Sequence, residues 1–344
     1  MNPEPSSDPE PSSGAERSRS APDAHSALGL FRFTIEGRRA PALFVGGWLA
    51  GLVGAGFLAI GVAASGSVAA ALILLIGLAV LTIGLVLLGG SQSIERQAAG
   101  EPYGGPSPVL LFAATVSATF LVAALVGIVL EAAGVSLGPS LRPVGDLVSV
   151  ALQAVVFVGM VRLMVVGSGA LTWSEMGFTR DPRQIVTGML TGAVFAVPVI
   201  VLTGVVALIL VPLIGESPPS PLPPTGSAAG FGLHLLAGGA IGPFAEETIF
   251  RGAALTAWLR TTSPTSAITR TAILFAAAHG LGLGGATFGQ AAGLAFVATA
   301  ARLPVAFALG WLFARTRTIW APIGLHAVFN AILLGLAEQG QGVG

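Results

Sequence analysis

From residue 41 onward the chain alternates long apolar runs with short polar breaks, the runs lying near 42–64, 67–90, 109–133, 143–166, 185–214, 229–259, 266–283, 287–314 and 319–337. Crossing roughly 30 Å of hydrocarbon takes about 20 apolar residues as a helix, which also satisfies its backbone polar groups within its own segment. The pattern predicts an all-α polytopic membrane protein, eight to nine transmembrane helices in one bundle around a buried polar site, with soft boundaries for the last few runs. Gly, Pro, Ser and charged residues gather between the runs, most plainly at 91–108, 167–183 and the proline-rich 216–227.

The first forty residues are different material. Residues 1–27 are rich in Pro, Ser, Asp and Glu with almost no large apolar side chain, so burial cannot offset the entropy of ordering them, and a disordered tail is expected. Between 28 and 40, Leu30, Phe31, Phe33 and Ile35 precede Arg38 and Arg39, which suits either a segment on the membrane surface or a juxtamembrane linker. The first apolar run is too long and too far from Met1 for a cleaved signal peptide. The chain thus divides into a tail and juxtamembrane segment (1–40), N-terminal membrane helices (41–184), a membrane core (185–337) and a short C-terminal tail (338–344).

Composition sharpens this picture. Of 344 residues 53% are apolar and only 9% charged, and the mean hydropathy is +0.85, far from the quarter or so of charged residues in a soluble domain. Sixteen basic residues balance sixteen acidic ones, so no basic field attracts nucleic acid. The absence of cysteine excludes disulfides, thiolate metal sites and a Cys nucleophile. Every basic residue is arginine, a compositional hint of a GC-rich prokaryotic genome. Arg32, Arg38 and Arg39 precede the first run, Arg180 and Arg183 follow the fourth, Arg260 the sixth, and Arg315 and Arg317 the eighth. With nine crossings all fall on one side, which predicts a multi-pass plasma-membrane protein with its N-terminus in the cytoplasm and its C-terminus outside. Gly47-x-x-x-Gly51 has the spacing of a helix contact, but in a chain with 48 glycines that match is close to chance.

Ionisable groups inside a span are costly and are functional candidates by default. Glu131, Asp146 and Arg162 sit near span ends and can snorkel; His234 reads as a packing histidine; Arg302, just before Pro304, suits a break between half-helices. The remaining groups form a pattern: Glu246, Glu247 and Arg251 on one run, Phe275 and His279 on the next, His326 and Asn330 on the last. Glu247 and Arg251 are i and i+4, the spacing of a structural ion pair, while Glu246 points about 100° away from them. His326 and Asn330, again i and i+4, present donors suited to an oxyanion. His279 could hold one side of a water molecule whose other side is held by Glu246. Without a Gly-x-Ser-x-Gly elbow or a His-Glu-x-x-His helix, the cluster suits amide hydrolysis by water activated on a carboxylate and an imidazole. Straight helices would put His279 about 10 Å deeper than Glu246 and His326. A helix break at Gly238-Gly239-Ala240-Ile241-Gly242-Pro243, or a different start for the seventh run, would remove that mismatch.

The motifs Glu246-Glu247-Thr-Ile-Phe-Arg251, Phe275-Ala-Ala-Ala-His279 and His326-Ala-Val-Phe-Asn330, in this order on hydrophobic segments, resemble those of the CPBP intramembrane proteases. That family groups CAAX prenyl endopeptidases with bacteriocin-processing and immunity-type proteins. The stretch Gly310-Trp-Leu-Phe-Ala-Arg315-Thr-Arg317-Thr-Ile-Trp320-Ala-Pro322 is similar to the family's approach to its last motif. The resemblance covers roughly 185–337. It implies a glutamate-dependent, metal-free endopeptidase acting on a membrane-associated peptide or protein, with no cofactor. It also implies Glu246 and His279 as the water-activating pair, His326 and Asn330 as the oxyanion side, and Glu247, Arg251 and Phe275 in support. Three other readings keep the cluster: a zinc site through His279, His326 and a glutamate; a non-catalytic bacteriocin-immunity or scaffold protein; and a transporter using the same groups.

Overall fold

The computed structural model describes residues 32–340 except 65, 136, 137 and 139. The tail expected over 1–27, the start of the 28–40 segment and residues 341–344 lie outside the described residues. Among those described, nine helices follow one another: α1 Pro41–Ala63, α2 Val68–Ala98, α3 Pro108–Ala132, α4 Arg142–Val166, α5 Pro182–Ile214, α6 Ala228–Thr261, α7 Pro264–Ala278, α8 Phe288–Thr316 and α9 Trp320–Gly340. Eight are long and apolar enough to cross a membrane. The exception is α7, which has 15 residues and ends in a cap at His279, so the run expected to 283 stops at 278.

Local chemistry sets the helix ends. Ser67, Ser107, Asp181, Ser227, Ser263 and Thr287 each accept a hydrogen bond from a backbone N–H in the first turn they precede, and Pro stands at the start of α1, α3, α5 and α7. The start of α1 is capped from a distance, where Glu95 near the end of α2 accepts from the N–H groups of Arg39 and Ala40.

Small residues then set which helices touch. Gly47, Gly54 and Gly61 recur every seven residues along α1 and meet α2 around Gly77 and Gly84, where a Cβ on Gly47 would stand 2.7 Å from Leu88 Cγ. A Cβ on Gly51 would meet nothing within 4 Å, but one on Gly84 would stand 2.5 Å from the Gly51 nitrogen and 2.9 Å from the Gly47 oxygen, so Gly47-x-x-x-Gly51 borders this contact together with the seven-residue glycine period. Elsewhere Gly192 of α5 lies against the Ala321 carbonyl of α9, and Gly324 lies against the backbone of Met189, so these two helices meet backbone to backbone.

The centre of the bundle is filled by Phe157, Met160, Ile249, Phe250, Phe275, Leu309 and Leu325, drawn from α4, α6, α7, α8 and α9. Loop 167–181 braces one end of it. Glu175 accepts from the Thr172 N–H at 2.7 Å and pairs with Arg260 at 2.6 Å, and these contacts, the Thr172 N–H foremost, hold its carboxyl down to about 2. Gly177, in the left-handed region at φ 84°, offers its carbonyl to the Ile319 N–H at 3.1 Å. Ile319 in turn packs with Ala254 and Leu255 of α6. Helix α9 therefore starts level with the middle of the second half of α6, not with its end.

Candidate active site

The site is built on a helix that changes its winding twice. Around the α-helical turn Gly242–Glu247, α6 is π-wound at Ala237–Ile241 and at Thr248–Leu255. The glycine-rich run before the carboxylates does not break the helix as expected. It continues through it with one extra residue per hydrogen-bonded ring, the Gly242 N–H reaching the Ala237 carbonyl. In that register the next donor would be residue 243, a proline with no N–H, which leaves the Gly238 carbonyl free. Asn330 supplies the missing donor, its Nδ2 standing 2.8 Å from that oxygen.

Glu247 and Arg251 are fully buried and form the clamp their spacing predicts, Arg251 Nη1 donating to Glu247 Oε1 at 3.0 Å. Arg251 Nη2 donates to the Ala306 carbonyl of α8 at 3.1 Å, and its Cζ lies 4.4 Å from the Phe275 ring centroid. His326 Nδ1 lies 2.8 Å from the same Glu247 oxygen. A carboxylate accepts, so this nitrogen carries the hydrogen, and Nε2 is turned toward Glu246. His279 is fixed in the same manner: its Nδ1 donates to the Phe275 carbonyl at 2.9 Å, so in the neutral ring Nε2 holds a lone pair.

The two free ring nitrogens converge. His279 Nε2 and His326 Nε2 each lie 3.9 Å from Glu246 Oε2, a buried oxygen with no hydrogen-bond partner in the protein. Such an interval is too long for a direct hydrogen bond and suits a water molecule bridging the two sides. The side chains of Glu246 and His279 are 23% and 24% exposed and His326 5%, so the pocket opens on the Glu246 and His279 side. The expected 10 Å mismatch in depth is absent: Glu246 stands 15 residues before the end of α6 and His279 15 residues after the start of α7, which puts them level, and α9 starts deep in the bundle, which brings His326 level with both. Tetrahedral zinc ligands at about 2.0–2.1 Å from the metal stand closer together than these atoms do. Among the described residues no group of three His, Asp or Glu is placed to hold a metal ion.

The structure thus brings Glu246, Glu247, Arg251, Phe275, His279 and His326 together. Asn330 differs in detail: its amide serves the Gly238 carbonyl rather than lying free beside His326, leaving one N–H uncommitted. Asp146 does not simply snorkel. Its Oδ2 lies 3.0 Å from Nε2 of the buried His234, tying α4 to α6 away from the pocket. Arg302 marks no break, since α8 runs unbroken through Pro304. It stands one turn from Thr299, which lies against Gly280, and one turn from Ala306, whose carbonyl takes Arg251 Nη2, a placement beside the site that motif spacing did not find. The available signal was an arginine inside a span with no acidic residue on its own helix.

Residues 228–332 match the family model described as Type II CAAX prenyl endopeptidase Rce1-like. No curated protein and no solved structure matches the chain. The matched segment begins at the first residue of α6, carries all three motifs and ends two residues beyond Asn330. Over this segment the chain is similar to CAAX-type membrane proteases.

Proposed function

We propose that the protein is an intramembrane endopeptidase in which Glu246 activates water for attack on a peptide bond of a membrane-associated protein or peptide. The observation that carries this reading is the convergence of two imidazole Nε2 atoms on one Glu246 oxygen, each at 3.9 Å. A water held there by Glu246 and His279 gives a proton to the carboxylate as its oxygen bonds to the carbonyl carbon. Charge then builds on the carbonyl oxygen, where the uncommitted N–H of Asn330 and an Nε2–H of His326, carried when Glu247 holds the ring as imidazolium, are suited to receive it. Collapse breaks the C–N bond, and the proton on Glu246 passes to the leaving amine. Glu247 and Arg251 do not react: the clamp orients His326, and removing either partner strands a buried charge at a cost of about 3–5 kcal/mol.

The test compares membrane peptides in cells carrying the parent or Glu246→Gln, with the variant's insertion and folding checked. At least one peptide should accumulate uncleaved in the variant, and purified Glu246→Gln should cleave it about 100- to 10,000-fold more slowly. Equal cleavage by the two proteins would end the proposal. Loss of immunity or transport with no uncleaved peptide would favour a non-catalytic role instead.

A further inference from the structure

One end of the bundle holds a cavity that the peptidase site does not use. Its volume is about 400 Å³, and it is lined by Arg183, Gln184, Thr187, Gly188 and Thr191 of α5 and by Thr316 and Thr318 where α8 turns into α9. Arg183, Thr187 and Thr191 are spaced by four, so they stack on one face of α5 and carry polar groups about 12 Å along its axis. The turn between α8 and α9 closes the opposite wall, where a Cβ on Gly188 would stand 2.9 Å from Trp320 Cβ and 3.5 Å from Thr318 Cγ2. No acidic side chain is among the lining residues.

The lining divides into committed and uncommitted groups. Thr191 Oγ1 donates to the Thr187 carbonyl at 2.7 Å and Thr316 Oγ1 to the Leu312 carbonyl at 2.8 Å, while Thr318 Oγ1 lies between the Trp320 N–H at 3.3 Å and the Gly177 carbonyl at 3.5 Å. The Arg183 guanidinium, the Gln184 amide and the Thr187 hydroxyl have no hydrogen-bond partner among the described residues, and all three stand within about one turn of α5. They are donors. Arg180, Arg315 and Arg317 flank the same end, and among the described residues none of these three, nor Arg183, forms an ion pair within 4 Å. Asp181 is committed as the cap of α5, its Oδ1 accepting from the Arg183 N–H at 2.9 Å, and Glu175 is matched by Arg260. The cavity therefore offers positive charge and free donors to an anion.

We propose that this cavity binds the phosphate headgroup of an anionic phospholipid, with Arg183, Gln184 and Thr187 donating to the phosphate oxygens. The source of the phosphate follows from what lies alongside. Val186, Leu190 and Val194 flank the groove on α5 and are 55%, 63% and 75% exposed within a membrane span, so acyl chains run along this face. A head at Arg183 and tails on Leu190 and Val194 are the two ends of one lipid, whereas a free phosphate leaves the apolar flank unused. A lipid held here touches α5 and the turn before α9 together. It thereby braces the approach of these two helices one turn further along, where Gly192 lies against the Ala321 carbonyl.

Purified full-length protein in detergent is titrated with phosphatidylglycerol, phosphatidylcholine or inorganic phosphate, with bound lipid counted by native mass spectrometry and thermal unfolding followed in parallel. Phosphatidylglycerol should fill one site first and raise the unfolding temperature, and the other two at the same concentrations should do neither. Arg183→Gln should weaken phosphatidylglycerol binding about 5-fold, the share of one arginine in attraction to an anionic lipid. Thr187→Val keeps the charge and should weaken binding as well. Arg39→Gln is the control at the same end of the bundle, where Gln97 after it on α2 donates to the Ser168 carbonyl at 2.8 Å, and it should bind as the parent does. Arg39, Arg183 and Thr187 are exposed, so these substitutions leave the core intact. Unchanged binding by Arg183→Gln would overturn the proposal, and so would equal stabilisation by inorganic phosphate, which would make the cavity a site for free anions. An equal loss in Arg39→Gln, or no loss in Thr187→Val, would reduce the effect to a diffuse basic surface and overturn it likewise. None of these readouts depends on cleavage, so the outcome is independent of the role given to Glu246.

Discussion

Phe275 shows how much of the site hangs on one side chain that does no chemistry. Its carbonyl takes the His279 Nδ1 hydrogen, its ring lies under Arg251 Cζ at 4.4 Å, and its centroid is 4.8 Å from that of His279 and 5.7 Å from that of His326. Removing the ring therefore opens a cavity and also strips the face on which a buried guanidinium rests. Phe275→Ala should lower unfolding stability in detergent by about 3–5 kcal/mol. Phe275→Leu keeps most of the volume and should lose only about 0.5–2 kcal/mol, the share of the cation–π contact. Equal losses in the two variants would show that volume alone matters at this position. The resemblance of Phe275-Ala-Ala-Ala-His279 to a family motif is what marks Phe275 as supporting. Its contacts to Arg251 and His326 were not legible, because they depend on how α6, α7 and α9 cross.

At the scale of elements, the winding of α6 and the close approach of α5 to α9 set where the site residues stand. From the chain alone a proline after three glycines offers no donor to keep the helix going, so 238–243 suits a break. The donor comes from Asn330, 92 residues away, and no local rule could supply it. The i and i+4 spacing of Glu247 and Arg251, by contrast, was legible, because a single turn decides it. The Gly192 and Gly324 approach was likewise hidden among 48 glycines. It can be tested directly: Gly192→Val places a branched side chain against the Ala321 carbonyl and the Leu325 N–H. Overpacking of this kind costs about 1–3 kcal/mol, and pushing α9 away should also separate His326 from Glu247 and slow cleavage. Gly204→Val is the control, since a Cβ there meets nothing within 4 Å. If both variants melt and cleave alike, the α5–α9 contact does not hold His326 in place.

For the whole molecule the open question is which face of the membrane each end occupies, and two sets of contacts sort the ends before any side is assigned. At one end, Arg260 at the close of α6 pairs with Glu175 before α5, and Ile319 before α9 bonds to Gly177. At the other, Glu338 near the close of α9 accepts from the N–H groups of Thr225 and Gly226 before α6, and Gln290 at the start of α8 bonds to Glu216 after α5. Arg180, Arg183, Arg260, Arg315 and Arg317 all flank the first end, and following the chain back through α4 to α1 puts Arg32, Arg38, Arg39 and Arg96 there as well. Arg142, at the start of α4, falls at the opposite end, which otherwise carries few positive charges near its helix termini. Short loops rich in arginine stay in the cytoplasm, so we propose that the first end faces inward. Although α7 is short, it turns back into α8, so it reverses the chain direction as a full crossing would. A reporter that works only in the cytoplasm should therefore be active at the N-terminus and silent at the C-terminus, with the pattern reversed for one active only outside. A C-terminus found in the cytoplasm would mean that one helix pair enters and leaves by the same face, and α7 with α8 would be the pair to re-examine.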